Sequence, residues 1–293
     1  MVVVLTTVQG IAVPVFAIVS MVSVGLGYTL RQMFSPLRDL TGVALVLAAN
    51  FILLPLLAYG VIQVLSLDRS LKIGIFLIAS AAGAPFAIKL TEIARGQVAF
   101  ATGLLVLLLL STVAYLPLVV RLALPNAVVS IWAAARPLLL TMLLPFALAV
   151  SVRALLPSMA ALLGPLIAMS TMPVLLVLIV TTAIVNGGAI LTVFGTGAIM
   201  GAALVISSAF AIGFLLGVFE PGARNEVGLV TAQRNYAAAM IVATQGVQDR
   251  RVLVMIVTAS VVSMALLFPL ARALGKIEDQ RTAAQPRRPG KPR

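Results

Sequence analysis

Long apolar runs separated by short polar breaks make up almost the whole chain. A helix that crosses a hydrocarbon layer of about 30 Å needs about 20 mostly apolar residues. The breaks hold charged residues, proline or glycine, and the runs between them have this length. The pattern predicts an all-α integral membrane protein of about nine transmembrane helices, at residues 8–30, 41–65, 71–94, 98–123, 137–156, 164–186, 190–218, 227–246 and 252–273.

Composition agrees with this pattern and narrows the chemistry. Of the 293 residues, 62% are hydrophobic and 10% are charged, and there is no Cys or His. The mean hydropathy of +1.18 lies far outside the range of soluble domains. Without Cys or His, thiolate zinc sites, haem ligation by His and His- or Cys-based nucleophiles are excluded. We find no phosphate-binding loop and no metal-ligand spacing, so we expect neither an enzyme nor a cofactor.

The formal net charge of +12 is a topology signal. The basic residues lie in short loops and in the C-terminal tail and form no stripe, so no nucleic-acid partner is expected. Basic segments near helix ends are retained in the cytoplasm. We therefore expect a multi-pass protein of the cell inner (plasma) membrane, with its C-terminus cytoplasmic and, for an odd helix count, its N-terminus outside.

Two of the predicted helices carry helix breakers and polar residues at mid-membrane. The third contains Gly83-Ala84-Pro85, and the eighth contains Thr231-Ala232-Gln233-Arg234-Asn235. Each is second to last in a block of four helices, and the two blocks have opposite orientations. This arrangement predicts an inverted repeat whose paired broken helices form a binding site. The alternative for Pro85 is an ordinary proline kink.

Arg234 is the most informative polar residue. It lies about 12 Å along the helix from Glu226 and about 24 Å from Arg250, too far to snorkel easily. A charge at such depth costs at least about 2.5–3.5 kcal/mol, so Arg234 should face a cavity and have a partner, for which we expect Glu92. A guanidinium suits a carboxylate or sulfonate because its planar fork binds both oxygens. The alternative is a structural ion pair.

Other polar residues extend the candidate site. Lys89 either extends into this site or forms a salt ladder at the helix end with Glu92 and Arg95, which follow it at i+3 and i+6. Asn50 either joins helices or belongs to the site. The candidate substrate-binding residues are Asn50, Pro85, Lys89, Gln233, Arg234 and Asn235, and the candidate coupling or charge partners are Glu92, Thr91 and Thr231.

Three short motifs carry a resemblance to a known family. Ile93-Ala94-Arg95-Gly96, Gln233-Arg234-Asn235 and Gly25-Leu26-Gly27-Tyr28-Thr29-Leu30 resemble the bile acid:sodium symporter family. The resemblance implies two crossing broken helices in a core domain that moves against a panel domain. It implies residues 1–36 as a panel helix, 37–126 as core helices of the first repeat (broken near 83–89), 127–188 as panel helices, 189–275 as core helices of the second repeat (broken near 230–236), and 276–293 as a disordered basic cytoplasmic tail.

The resemblance also implies sodium sites, from which this sequence departs. The family uses a Ser-Asn pair at the first crossing, a Glu-x-Gly-x-Gln-Asn motif at the second, and a Gln from the preceding helix. Asn50 matches that Gln by type, and Asn235 matches the final Asn. The Ser-Asn positions are Ala87 and Ile88, the Glu position is Val230, and the last Gln position is Arg234. Hard cations need several oxygen ligands, so bound sodium is not expected.

The sequence therefore predicts a secondary active transporter of a small organic anion that is independent of sodium, because Lys89 and Arg234 supply positive charge in the sodium-site region. The alternatives are a sodium-coupled organic anion symporter with a rearranged ion site, a metalloid exporter, an intramembrane enzyme and a non-transporting membrane receptor. The expected partners are the anion and the lipid bilayer. No oligomeric state is predicted.

Overall fold

The chain is helical throughout the residues that the computed structural model describes, which are 2–34, 39–123, 131–219, 222–247 and 249–284. The α-helices are α1 (Val2–Gly27), α2 (Leu30–Phe34), α3 (Leu40–Ala48), α4 (Leu54–Val64), α5 (Arg69–Ser80), α6 (Phe86–Ile93), α7 (Val98–Ala123), α8 (Ile131–Leu138), α9 (Leu144–Leu155), α10 (Pro157–Val193), α11 (Ala198–Leu216), α12 (Arg224–Ala232), α13 (Tyr236–Ile241) and α14 (Arg250–Ala284). A 3-10 turn, Gly217–Phe219, and three π-helical segments, Ala49–Leu53, Leu139–Leu143 and Val242–Val247, complete the described helices.

Six helices of the described residues are long and apolar enough to cross a membrane. A shorter apolar helix, Pro14–Gly27, lies within α1. The protein is therefore a multi-pass membrane protein, while nine crossings and an inverted repeat stay predictions. The six helices are Leu40–Val64, Val98–Arg121, Ala135–Leu155, Pro157–Val177, Ala198–Leu216 and Arg250–Ala284.

Two of the π-helical segments end two residues before a proline. Ala49–Leu53 precedes Pro55, and Leu139–Leu143 precedes Pro145. A proline within a helix has no N–H to donate, and its ring clashes with the carbonyl of the preceding turn. Widening that turn by one residue removes the clash and keeps the helix continuous. The π-helical turn of the first segment contains the buried Asn50.

Helix α1 packs along α10 and α9, whereas α12 packs on α11 and α5 packs on α14. Close approach between α1 and α9 depends on Gly25, because a Cβ there would lie 2.6 Å from Ala149 Cβ and 2.9 Å from Phe146 O. Small residues permit such backbone contacts between membrane helices.

Two predicted boundaries are wrong. Helix α14 continues to Ala284, so residues 276–284 are helical rather than disordered, and Arg95 binds Asp279 on that extension at 3.4 Å. The rest of the predicted tail, 285–293, lies outside the described residues. The boundary at 188/189 falls inside α10, which runs on to Val193.

Candidate functional site

The first helix interruption lies between α5 and α6. Residues 81–85 are not helical. Gly83 has a φ of +74°, and the backbone of Leu109 lies so close to it that a Cβ would have no room. Only glycine fits both constraints. Thr112 Oγ1 accepts a hydrogen bond from Ala82 N and donates one to Ala82 O, each at 2.9 Å. One threonine thus satisfies both polar backbone groups of a non-helical residue in the interior.

The second interruption, residues 233–235 between α12 and α13, meets the first directly. Asn235 N donates to Ala81 O at 2.8 Å, and Asn235 Nδ2 donates to Gly83 O at 3.0 Å. Asn235 Oδ1 also accepts from Ala238 N at 3.0 Å and caps α13. We call the junction of residues 81–85 and 233–235 the crossover.

Arg234 is fully buried at the crossover, and its guanidinium group is surrounded by neutral oxygens. Its Nε donates to Ile78 O at 3.0 Å, and Nη2 donates to Ala79 O at 2.6 Å. Its Nη1 donates to Asn50 Oδ1 at 2.7 Å and to Thr231 O at 3.0 Å. The carbonyl groups lie in the last turns of α5 and α12, where the interruptions leave acceptors exposed. Ile78 O also accepts from Ala81 N at 3.3 Å, so it has two donors. The guanidinium therefore occupies a cage of oxygen atoms that holds no carboxylate among the described residues.

Asn50 and Thr231 build part of this cage. Asn50 Nδ2 donates to Val46 O at 3.0 Å and to Thr231 Oγ1 at 3.4 Å, which directs Asn50 Oδ1 toward Arg234. The structure thus places Asn50, Thr231, Arg234 and Asn235 together. Four of the five N–H groups of Arg234 donate to the protein, which leaves one for a substrate in this conformation. The expected two-oxygen grip on a substrate stays a prediction.

The expected pairing of Arg234 with Glu92 is wrong. Glu92 binds Lys89 at 2.7 Å, and both side chains are exposed. Lys89 therefore does not lie at the crossover, because its helix face points to the surface while Ala87 and Thr91 face the interior. Thr91 Oγ1 donates to Ala87 O within α6 at 2.9 Å and contacts no cation. Of the predicted salt ladder only this first pair forms, since Arg95 binds Asp279 instead.

A small cavity of about 50 Å³ lies beside the crossover, between it and α1. Gln233, Arg234, Asn235, Ser20 and Tyr236 contribute its polar lining. Ser20 Oγ and Tyr236 Oη are buried and have no hydrogen-bond partner among the described residues. Buried hydroxyl groups are normally satisfied by protein or ordered water. Their position suits a few water molecules or one polar group of a solute.

A second cavity of about 580 Å³ extends from this point to the protein surface. Ser20, Pro85 and Phe86 line both cavities, so the two cavities adjoin. Its walls come from α1 and α10 on one side and from α6 on the other. Lys89, Glu92 and Arg153 provide its charged lining. Glu92 binds Lys89, and Arg153 forms no ion pair within the described part of the chain.

Sequence reasoning missed Ser20, Arg153 and Tyr236. A serine within an apolar helix is unremarkable, because it can bond the carbonyl of the preceding turn. Tyr236 adjoins the polar Gln233–Asn235 run, and this adjacency is the one available signal. The sequence pattern predicts that Arg153 lies in a loop. Only the packing of α9 beside α10 and α1 brings it to the cavity.

Comparison with known proteins gives one finding. The sequence model of the Sodium Bile acid symporter family matches residues 14–193, which are 180 of the 293 residues. The search of curated proteins gives no match. The matched region contains the first interruption, Asn50 and every residue named in the lining of the larger cavity, whereas Arg234 lies beyond it.

Proposed function

Because the chain belongs to the Sodium Bile acid symporter family, whose members are transporters, we propose that it is a secondary active transporter of a small organic anion that needs no sodium ion. The observation that carries the proposal is the Arg234 guanidinium, buried in a cage of four neutral oxygens. The cage resembles the oxygen environment of a hard cation. A tethered cation fills it here.

Exclusion of sodium follows from occupancy and from charge. Each oxygen of the cage already accepts a hydrogen bond from Arg234. A sodium ion about 4 Å from the guanidinium would meet a repulsion on the order of 4 kcal/mol at an effective dielectric constant near 20. The same fixed charge joins the two interrupted helices, since it binds carbonyl groups of both α5 and α12.

Selection for an anion follows from the uncompensated charge along the cavity. Arg234 lines the small cavity and Arg153 lines the larger one beside it, and neither has an acidic partner among the described residues. Lys89 and Glu92 neutralise each other. Arg234 acts mainly through its field, because nearly all of its donors bind the protein. The hydroxyl groups of Ser20 and Tyr236 are available for direct hydrogen bonds to an anionic group.

The size of the cavity favours a small amphipathic solute. A volume of about 580 Å³ lies within the usual range of roughly 300–1,000 Å³ for small-molecule sites. The adjoining space of about 50 Å³ holds a group no larger than a carboxylate. We propose that an acidic head enters this space and that the apolar body remains between α1, α6 and α10.

Movement of two helix groups against each other would expose the site alternately to the two sides. The cavity separates α1, α9 and α10 from α6 and the crossover, which is the division between panel and core that we propose. No carboxylate touches the cage within the described chain, and Glu92 is exposed. The proposed driving force is therefore anion exchange or the gradient of the anion itself, rather than a proton carried by Glu92.

The test is uptake of radiolabelled organic acids into proteoliposomes that contain the purified protein. We expect uptake of at least one carboxylate or sulfonate of moderate size, with taurocholate as the bulky probe. The uncharged amide of the same acid should be transported at least about tenfold less well. Binding of an acid without any flux would identify a receptor, and equal uptake of acid and amide would contradict the proposed role of charge.

A further inference from the structure

A third cavity opens on another face of the protein. This groove of about 650 Å³ lies between α4, α5 and α7 and shares no lining residue with the two cavities above. Its walls are mostly apolar and aromatic, and they include Leu56 and Tyr59, whose exposed fractions are 63% and 55%. Exposed apolar surface on a membrane-spanning helix faces lipid. The groove is therefore open to the hydrocarbon layer.

Two cations stand at one end of the groove. Arg69 and Lys72 are one turn apart at the start of α5 and both line it. Neither has an acidic partner in the described ranges. The nearest acid along the chain is Asp68, but its Oδ1 accepts from Leu71 N at 3.1 Å and its Oδ2 binds Arg251 at 3.2 Å.

The apolar part of the groove extends away from these cations toward mid-membrane. Leu77 lines it eight residues after Arg69, about 12 Å along α5 at about 1.5 Å per residue. Phe51 and Tyr115, with ring centroids 4.9 Å apart, line the groove as well. The groove thus has a cationic end at a helix terminus and an apolar channel below it.

We propose that this groove binds an acidic phospholipid from the leaflet at which α5 begins. The phosphate would lie between Arg69 and Lys72, and an acyl chain would lie along Leu56, Ile73 and Phe76. Charge complementarity favours an acidic head over a zwitterionic one, because two unpaired cations meet it. A soluble anion would leave the apolar walls unused. A second copy of the chain could occupy the groove only if it placed acidic residues beside Arg69 and Lys72.

The test is native mass spectrometry of the protein released from detergent that contains equal amounts of phosphatidylglycerol and phosphatidylcholine with identical acyl chains. We expect phosphatidylglycerol adducts to exceed phosphatidylcholine adducts at least about fivefold. Arg69→Gln with Lys72→Gln should abolish this preference. The matched control is Arg121→Gln with Arg136→Gln, which removes two exposed cations that do not line the groove and should retain it.

A second variant tests the apolar part independently of charge. Ile73→Trp places a larger ring in the groove and should reduce bound phosphatidylglycerol while both cations remain. Three results would overturn the proposal. They are equal binding of the two lipids, an unchanged lipid preference in Arg69→Gln/Lys72→Gln, and displacement of the lipid by glycerol phosphate at the same concentration. A dimer that the Arg69/Lys72 variant dissociates would instead assign the groove to a second copy. Monodisperse elution of each variant verifies folding.

Discussion

Arg234 Nη1 donates a hydrogen bond of 2.7 Å to Asn50 Oδ1, although the two residues lie 184 positions apart in the chain. The bond ties the interruption between α12 and α13 to the π-helical turn before Pro55. Asn50 Oδ1 is the one side-chain acceptor of the cage within the described residues, and the other acceptors are backbone carbonyl groups. A buried cation bound only by neutral oxygens keeps its full charge. That property links the fold to the anion selection that we propose.

Replacing Arg234 should damage both folding and transport. Arg234→Gln leaves most of the four acceptors of the cage without a donor, which should cost about 2–5 kcal/mol of stability. It also removes the buried charge, so uptake of an organic acid should fall about tenfold or more. Melting temperature and initial uptake rate are the measurements. Arg121→Gln, at an exposed cation, is the control and should change neither.

Asn50→Asp should separate stability from transport. A carboxylate at the position of Asn50 Oδ1 forms a charge-assisted hydrogen bond with Arg234, which offsets the lost donation of Asn50 Nδ2 to Val46 O. The melting temperature should therefore fall less than in Asn50→Leu. The new pair has no net charge, so the affinity for an organic acid should fall about tenfold or more. Asn50→Leu, which removes the bond and adds no charge, should lower the melting temperature more. Undiminished anion affinity in Asn50→Asp would contradict a role for the charge of Arg234.

The cations of the larger cavity should differ in importance. Lys89→Gln combined with Glu92→Gln removes an exposed pair worth no more than about 1 kcal/mol, so uptake should change less than about threefold. Arg153→Gln removes an unpaired positive charge from the same cavity and should raise the KM for the anion several-fold. A KM that responds to Lys89 and not to Arg153 would reverse this assignment.

Gly83 should be essential for the crossover. Gly83→Ala adds a Cβ against the backbone of Leu109 at φ +74°, and both effects oppose folding, by about 3 kcal/mol or more. Gly60→Ala is the matched control, because nothing lies within 4 Å of its added Cβ in the middle of α4. The control should be neutral or stabilised by up to about 1 kcal/mol. Thermal unfolding in detergent compares the two, and equal melting temperatures would show that the tight packing at Gly83 is not required.

The sequence predicted where the helices are interrupted, because Gly83, Pro85 and the polar Gln233–Asn235 run act locally. It also predicted that Arg234 is buried, since its distance from both helix ends is fixed by helix geometry. It did not predict the partners of Arg234. A buried charge suggests an acid, but the interruptions free backbone carbonyl groups whose positions depend on how α5 and α12 cross. The direction of Lys89 depends on the packing of α6, which the sequence pattern leaves open.

We propose that a guanidinium takes the place of sodium at the crossover, and the dependence of transport on sodium is the direct test. The measurement is initial uptake of a transported organic acid into proteoliposomes, with external sodium replaced by potassium or choline at constant osmolarity and ionic strength. With Arg234 in the oxygen cage, we predict rates that agree within about twofold in all three media. A loss of uptake of about tenfold or more without sodium would contradict the account and indicate ordinary sodium-coupled symport.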